Sequence, residues 1–247
     1  MSVDRTSLVT GGGGGIGSGI ARVLAHRGDH VVVADLDEQR AAEVAAAIVA
    51  DGGSARPARL DIADVEAAAA GLAAIDAETP LTTVVNNAAL ATSGPITEVR
   101  PEEYDRVMGV NVRGTFFLVQ AALRAMLPRG AGNVVNICST SSFTASTSDM
   151  TVYDTSKAAV KMITQAAAKE VAGSGVRVNG VAPGTLRTSL TSALLDDGGF
   201  ANLEQTRIPL GRLGEPHEIG DAVAYLSSDA ASYVTGHILV VDGGWLA

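Results

Sequence analysis

The chain has 247 residues, of which 27 are acidic and 18 basic, giving a net charge of −9. An acidic chain repels nucleic acid and anionic lipid alike, so neither partner is expected. Apolar residues make up 47% and aromatics only 4%, which suits Ala- and Gly-rich helices packed tightly on a sheet, not an aromatic binding face.

Taken in chain order, strand and helix alternate throughout. Residues 7–10 form a short apolar strand that runs into glycines, and Ile16, Ile20, Val23 and Leu24 then repeat at helical spacing. Residues 31–34 are uninterrupted apolar, as in a strand buried on both faces. An Ala-rich helix at 38–51 stops at Gly52-Gly53. Further strands are expected at 58–60, 83–85, 134–137, 176–181 and 238–241, with helices between them. Two of those helices are long, at about 101–127 and about 152–171. Such alternation implies an α/β fold with a parallel sheet of about seven strands and helices on both faces, in a single domain spanning 1–247. The least regular stretch is 186–207, rich in Thr, Ser, Gly and Asp. Its placement near the carboxyl ends of the strands predicts a substrate lid.

Cys138 is the lone cysteine, so no intrachain disulfide forms and a reducing compartment fits. It has no evident activating base and reads as a small buried hydrophobe. No Cys/His cluster has metal-ligand spacing, and no metal is expected. Neither a signal-peptide run nor a stretch of roughly 20 apolar residues is found, which predicts a cytoplasmic protein without a membrane span. His26, His30, His217 and His237 lack catalytic spacing and read as surface or structural.

The first strand leads into TGGGGGIG at 10–17. Five glycines in a row cost about 1 kcal/mol each inside a helix, so they belong where backbone must approach a ligand. Gly11 and Gly15 can take φ > 0 and leave room for a pyrophosphate, while Gly17 lets the next helix pack against the strand. The N-terminal N–H groups of that helix favour an anion. Asp35 ends the second strand, eighteen residues after Gly17. A carboxylate there accepts from ribose 2′- and 3′-hydroxyls and repels the 2′-phosphate of NADP, so NAD is the expected cofactor. Leu36 and Asp37 offer no compensating positive charge, and Arg40, in the next helix, is expected mostly in solvent.

Tyr153 and Lys157 stand four apart in YDTSK, on one face of a helix. Tyrosine is a poor base at neutral pH. Bringing its pKa from near 10 to 7 takes about 4 kcal/mol of differential stabilisation, part of which a nearby ammonium supplies. The strand at 134–137 runs into Cys138 and four hydroxyls, Ser139, Thr140, Ser141 and Ser142. One of them is expected to hydrogen-bond a substrate carbonyl.

These pieces, with Asp61-Ile62, Asn86-Asn87-Ala88, Asn111 and Pro183-Gly184 with Thr188, resemble the short-chain dehydrogenase/reductase family along nearly the whole chain. The resemblance implies a Rossmann fold. It implies that Gly11, Gly15, Ile16 and Gly17 line the pyrophosphate, and that Asp35, with Leu36 beside it, meets the ribose. Asp61 and Ile62 would flank the adenine, and Asn87 and Ala88 would lie along the cofactor. Pro183, Gly184 and Thr188 would contact the nicotinamide end. Tyr153 would be the acid/base and Ser139 would orient the substrate. Lys157 would hold the nicotinamide ribose and lower the Tyr153 pKa, and Asn111 would hold a water through its main chain.

Three departures stand out. Ala89 replaces the glycine of NNAG, and the turn is all glycine. The family's serine usually precedes its tyrosine by thirteen residues, which reaches Thr140, whereas the strand motif at 135–137 reaches Ser139. Ser139 is preferred, with an extra residue taken up in the loop 143–150.

The expected activity is NAD(H)-dependent hydride transfer on a secondary alcohol or ketone, a neutral and fairly small or apolar molecule such as a sugar, cyclic alcohol or steroid-like ketone. Alternatives are a 3-oxoacyl-thioester reductase and a catalytically idle NAD-binding sensor. The family resemblance implies a homotetramer. The apolar end at 243–247 fits a subunit contact, with Trp245 equally suited to core or pocket wall.

Overall fold

The computed structural model describes residues 5–146, 148–188, 191 and 197–247. Seven strands form one parallel sheet: β1 (Thr6–Thr10), β2 (His30–Asp35), β3 (Ser54–Arg59), β4 (Thr83–Asn86), β5 (Gly132–Ile137), β6 (Val176–Pro183) and β7 (Ile238–Val241). Their order is β3-β2-β1-β4-β5-β6-β7. The chain starts mid-sheet, builds outward to β3, then crosses back beside β1 and builds the other way. That reversal between β1 and β4 leaves a crevice beyond their carboxyl ends, where ligands bind in open α/β sheets.

The alternation of side chains across each strand feeds two cores. On one face Leu8, Val32, Val84 and Val134 pack under α3 (Val65–Glu78), α5 (Thr115–Met126) and α6 (Thr151–Glu170). On the other, Val9, Val33, Val85 and Val135 pack under α1 (Gly15–His26), α2 (Glu38–Ala50) and α8 (Pro216–Leu226). Here α1 and α8 touch backbone to backbone. A Cβ on Gly19 would lie 2.5 Å from a Pro216 carbon, and one on Gly220 would lie 2.7 Å from Val23 Cγ2.

The expected elements are present, with three corrections. The third strand spans Ser54–Arg59 instead of 58–60. It is an edge strand, so it carries Pro57 and alternating exposed residues without an apolar run. The expected long helix at 101–127 is divided: α4 (Pro101–Met108) passes through a π-turn at Gly109–Gly114 into α5. The stretch 186–207 contains a helix, α7 (Asp197–Thr206), whose polar sequence carries no apolar period.

At the amino end of the sheet Asp29 is fully buried. It accepts from Arg5 Nε at 3.0 Å, Ser7 Oγ at 2.6 Å, and Arg27 Nε at 3.1 Å and Nη2 at 2.5 Å. Arg27 also reaches Ala224 O and Ser227 Oγ, both at 2.7 Å, tying α1 to α8. Removing one member of a buried ion cluster strands the others. Asp29→Ala is expected to lower stability by about 3 kcal/mol in urea unfolding at pH 7, with nicotinamide cofactor binding retained in the fraction that folds.

Candidate active site

The glycine turn closes around the end of β4. Thr10 Oγ1 accepts from the N–H groups of Asn87 and Ala88 at 3.0 and 3.2 Å. Asn87 Nδ2 donates to Thr10 O at 2.9 Å and Gly11 O at 3.2 Å. Gly17 must be glycine, since a Cβ there would sit 2.1 Å from the Gly11 carbonyl oxygen. Gly11 and Gly15 have φ of 61° and 51°, as expected. Beyond the turn there is space: a Cβ on Gly14 would meet nothing within 4 Å. No side chain caps α1 and no acid occupies its first turn, so its N–H groups face that space with their positive end. Thr188 lies across from Gly15, its Cβ 3.6 Å from where a Gly15 Cβ would be. An uncapped helix start, open ground beyond Gly14 and a hydroxyl opposite fit the diphosphate of a nicotinamide dinucleotide.

Asp35 is half-buried at the end of β2. Its Oδ2 accepts from Gly13 N at 2.9 Å and its Oδ1 from Asp37 N at 3.0 Å. Leu36 beside it is exposed. Arg40 pairs with Asp37 at 3.4 Å, its side chain 66% exposed. Farther along the strand ends, Asp61 accepts from Ala63 N and Ile62 is buried, its carbonyl against Gly114. Pro183 closes β6, and Gly184 N donates to Val241 O. All of these residues border the crevice side of the sheet. Ala89 fits without strain, since among the described residues only glycines have positive φ.

The second half of the site stands on β5 and α6. The strand ends at Ile137, and Ser139 caps a short 3₁₀ turn at Thr140–Ser142. Ser139 is buried and its Oγ accepts from Ser141 N at 3.1 Å. Its hydroxyl also acts on Tyr153, where it opposes the upward push of burial on the phenol. Thr140, the other reading of the register, sits inside the turn. Lys157, only 4% exposed, donates from Nζ to Ile137 O at 2.8 Å and lies 5.7 Å from the centre of the Tyr153 ring.

Burial drives Lys157 down from 10.5 to about 8. Burial likewise pushes Tyr153 up to about 12; the Ser139 hydrogen bond opposes this, and the Asp154 and Cys138 charges add to it. Burial therefore sets the direction of the Tyr153 shift in the protein without its cofactor. Cys138 is buried and pushed up to about 11, consistent with an inert thiol.

Asn111 lies in the π-turn and is buried. A π-turn shifts the helical hydrogen bonds by one residue and redirects main-chain carbonyls. Its side chain pairs with Leu90 like a strand partner, Oδ1 accepting from Leu90 N and Nδ2 donating to Leu90 O, both at 2.8 Å. The same Nδ2 donates to Ser156 Oγ, which donates to Tyr153 O at 2.6 Å.

Several supports had no signal in the sequence. Ser142 Oγ donates to Lys157 O at 2.7 Å and accepts from Ser139 N at 3.3 Å. Thr10 and Ser156 act as described above. Of the expected lid at 186–207, residues 189, 190 and 192–196 lie outside the described residues. A cavity of about 430 Å³ opens beyond Leu186, among residues 208–214 and β7. It borders Gly184 but not Ser139, Tyr153 or Lys157. Trp245 packs against Ile208 and Leu213.

A dinucleotide cradle facing a tyrosine–lysine pair is the frame of a nicotinamide-dependent oxidoreductase. A family model described as Enoyl-(Acyl carrier protein) reductase matches residues 12–246. Gluconate 5-dehydrogenase of Gluconobacter oxydans (strain 621H) is 37% identical over 239 residues, covering 96% of this chain and 93% of that protein. Galactitol 2-dehydrogenase (L-tagatose-forming) of Cereibacter sphaeroides is 40% identical, covering 97% and 94%. The crystal structure of a gluconate 5-dehydrogenase from Burkholderia cenocepacia J2315, in complex with NADP and tartrate, superposes with a TM-score of 0.93 at 35% identity, covering 99% of this chain and 96% of that one. The chain belongs to the short-chain dehydrogenase/reductase family, whose relatives here are dehydrogenases acting on secondary alcohols.

The buried ammonium has a measurable consequence. Because the folded pKa of Lys157 lies below the ordinary 10.5, its charge costs stability below about pH 8, and that cost fades as pH rises to 10.5. Lys157→Met is therefore expected to unfold at a higher temperature than the wild type at pH 7, to lose that advantage near pH 10.5, and to lose turnover. Calorimetry across this pH range checks the sign.

Proposed function

We propose that the chain oxidises a secondary hydroxyl of a small polyol or sugar acid, or reduces the matching ketone, with NAD(H) as the hydride partner. The observation that carries the reading is the grouping of the Ser139 hydroxyl and the Lys157 ammonium about Tyr153, with Lys157 Nζ 5.7 Å from the ring centre. The polyol class is supported by the gluconate and galactitol dehydrogenases that the chain resembles.

In this reading Ser139 holds the substrate oxygen and Tyr153 takes its proton. Lys157 binds the nicotinamide ribose, keeps its ammonium form at neutral pH and relays the proton to a water held by the Asn111 main chain, which leads it out to solvent. The bound cofactor supplies the hydride acceptor and, in its oxidised form, a positive ring that favours the tyrosinate. Gly11, Gly15, Ile16 and Gly17 hold the diphosphate, with Thr188, Pro183 and Gly184 toward the nicotinamide. Asn87, Ala88, Asp61 and Ile62 line the adenosine side. The segment 186–207 closes over the substrate. Tyr153→Phe is expected to bind NADH and to lose turnover by about 10²-fold or more. Ser139→Ala is expected to lose turnover where Thr140→Ala retains it. The reverse order in stopped-flow or steady-state rates would move the catalytic hydroxyl to Thr140.

Asp35 supports NAD over NADP, since its carboxylate can accept from ribose hydroxyls and repels a 2′-phosphate, and Arg40 is paired with Asp37. Several neighbours in structure carry NADP, so the contrast is testable. The wild type is expected to reduce NAD⁺ with the higher kcat/KM, and Asp35→Ser to narrow the ratio. An NADP⁺ preference in the wild type overturns the assignment. We further propose a cytoplasmic homotetramer, supported by the exposed Tyr104, Phe116 and Met162 on α4, α5 and α6. A monomeric mass by light scattering would refute it.

A further inference from the structure

Asp154 follows Tyr153 directly, in the first turn of α6. Both of its oxygens are used on one residue: Oδ2 accepts from Ser146 N at 2.8 Å and Oδ1 from Ser146 Oγ at 2.6 Å. Since the Ser146 hydroxyl proton goes to Asp154, Ser146 Oγ is left to accept, and Ser141 Oγ at 3.0 Å is its donor. Ser141 in turn donates its N–H to Ser139 Oγ at 3.1 Å, and the Ser139 hydroxyl acts on Tyr153. The line Tyr153–Ser139–Ser141–Ser146–Asp154 closes on itself through the peptide bond between Tyr153 and Asp154. A second fastening comes from Lys161, whose Nζ lies 4.1 Å over the Phe143 ring. A carboxylate has no proton to offer, so it fixes the direction of the Ser146 and Ser141 hydroxyls, while the Ser141 N–H occupies one lone pair of Ser139 Oγ. The α6 N-terminus favours that carboxylate.

We propose that Asp154 is a positioning residue and specificity determinant. Through Ser146 it holds segment 141–146 against α6, keeps the Ser139 hydroxyl aimed at Tyr153, and presents Ser141 beside it as a second hydroxyl. The second hydroxyl matches a substrate with a hydroxyl next to the reacting carbon, which deepens the polyol reading and rests on it. The same line explains how the chain tolerates an extra residue between Ser139 and Tyr153. The added length is taken up before Asp154 and pinned there by two hydrogen bonds. The charged and titratable groups facing Tyr153 are Asp154 and Lys157 on α6 and Cys138 at the end of β5. After burial, Asp154 and Cys138 act to raise its pKa.

Asp154→Asn and Ser146→Ala test the proposal, each alone and together. Asparagine can accept one of the two bonds from Ser146 but not both. With the best polyol substrate of the wild type, each single variant is expected to raise KM about tenfold, the factor carried by one charge-assisted hydrogen bond. NAD⁺ affinity and the thermal midpoint should stay at wild-type values. The double variant should be no worse than the worse single, because both break one line. Asp154→Asn, but not Ser146→Ala, should move the rise of the oxidation rate to lower pH. Hydrogen–deuterium exchange gives a readout free of substrate: amides of 141–146 should exchange faster while those of α6 do not. Wild-type KM with wild-type exchange at 141–146 overturns the proposal. So does a loss of NAD⁺ affinity and thermal stability in parallel with KM, which marks a merely structural role. Failure of the wild type to turn over any polyol defeats the polyol reading instead, and the exchange measurement still decides the anchoring.

Discussion

A buried ammonium held by a single strand carbonyl is the constraint that organises this protein. Lys157 reaches from α6 to Ile137 O and so fixes the helix at one height above the end of β5. That height places Tyr153 one turn earlier in the helix, at the rim of the crevice. The turn 140–142 is then locked from beneath, since Ser142 donates to the carbonyl of the same Lys157. A charge in such surroundings is a burden on stability, and the fold keeps it. Its position is the meeting point of sheet, helix and turn, and moving any one of them breaks its hydrogen bond.

Two halves of the site rest on different physics. The glycine-turn side is built largely by backbone, from missing side chains at Gly11 and Gly17 and a helix start without a cap, with Thr10 and Asn87 closing the turn. The reaction side is built by side chains pinning side chains. Asn111 is the bridge between them. It imitates a strand to hold Leu90, downstream of Asn87 and Ala88, and through Ser156 it reaches the carbonyl of Tyr153.

The sheet was legible because strands buried on both faces show as apolar runs, and six of the seven strands lie close to where such runs predict them. The edge strand β3 was misplaced because an edge needs no such run. The helix α7 was hidden because its sequence has no apolar stripe, and the π-turn because one-residue shifts in helical bonding leave no compositional trace. In the site, glycines and the Tyr153/Lys157 spacing are readable since few other roles explain them. Thr10, Ser142 and Ser156 are not, since a hydroxyl in a loop or helix looks the same whether it bonds its own turn or a neighbour across the fold. The upward push of burial on Tyr153 was not legible for another reason. Spacing reports which charges are near, but desolvation depends on everything else packed around them.

The contact between α1 and α8 bears on how the chain is made. The apolar face of α1, with Ile20 and Leu24, is made about two hundred residues before its cover of Ile219 and Val223. Over that interval the face stays open to water and to other nascent chains. Closure also joins segments about two hundred residues apart, a connection that slows folding relative to local pairing. The backbone contact at Gly19 and Gly220 thus forms only once α8 has been made and can dock on α1.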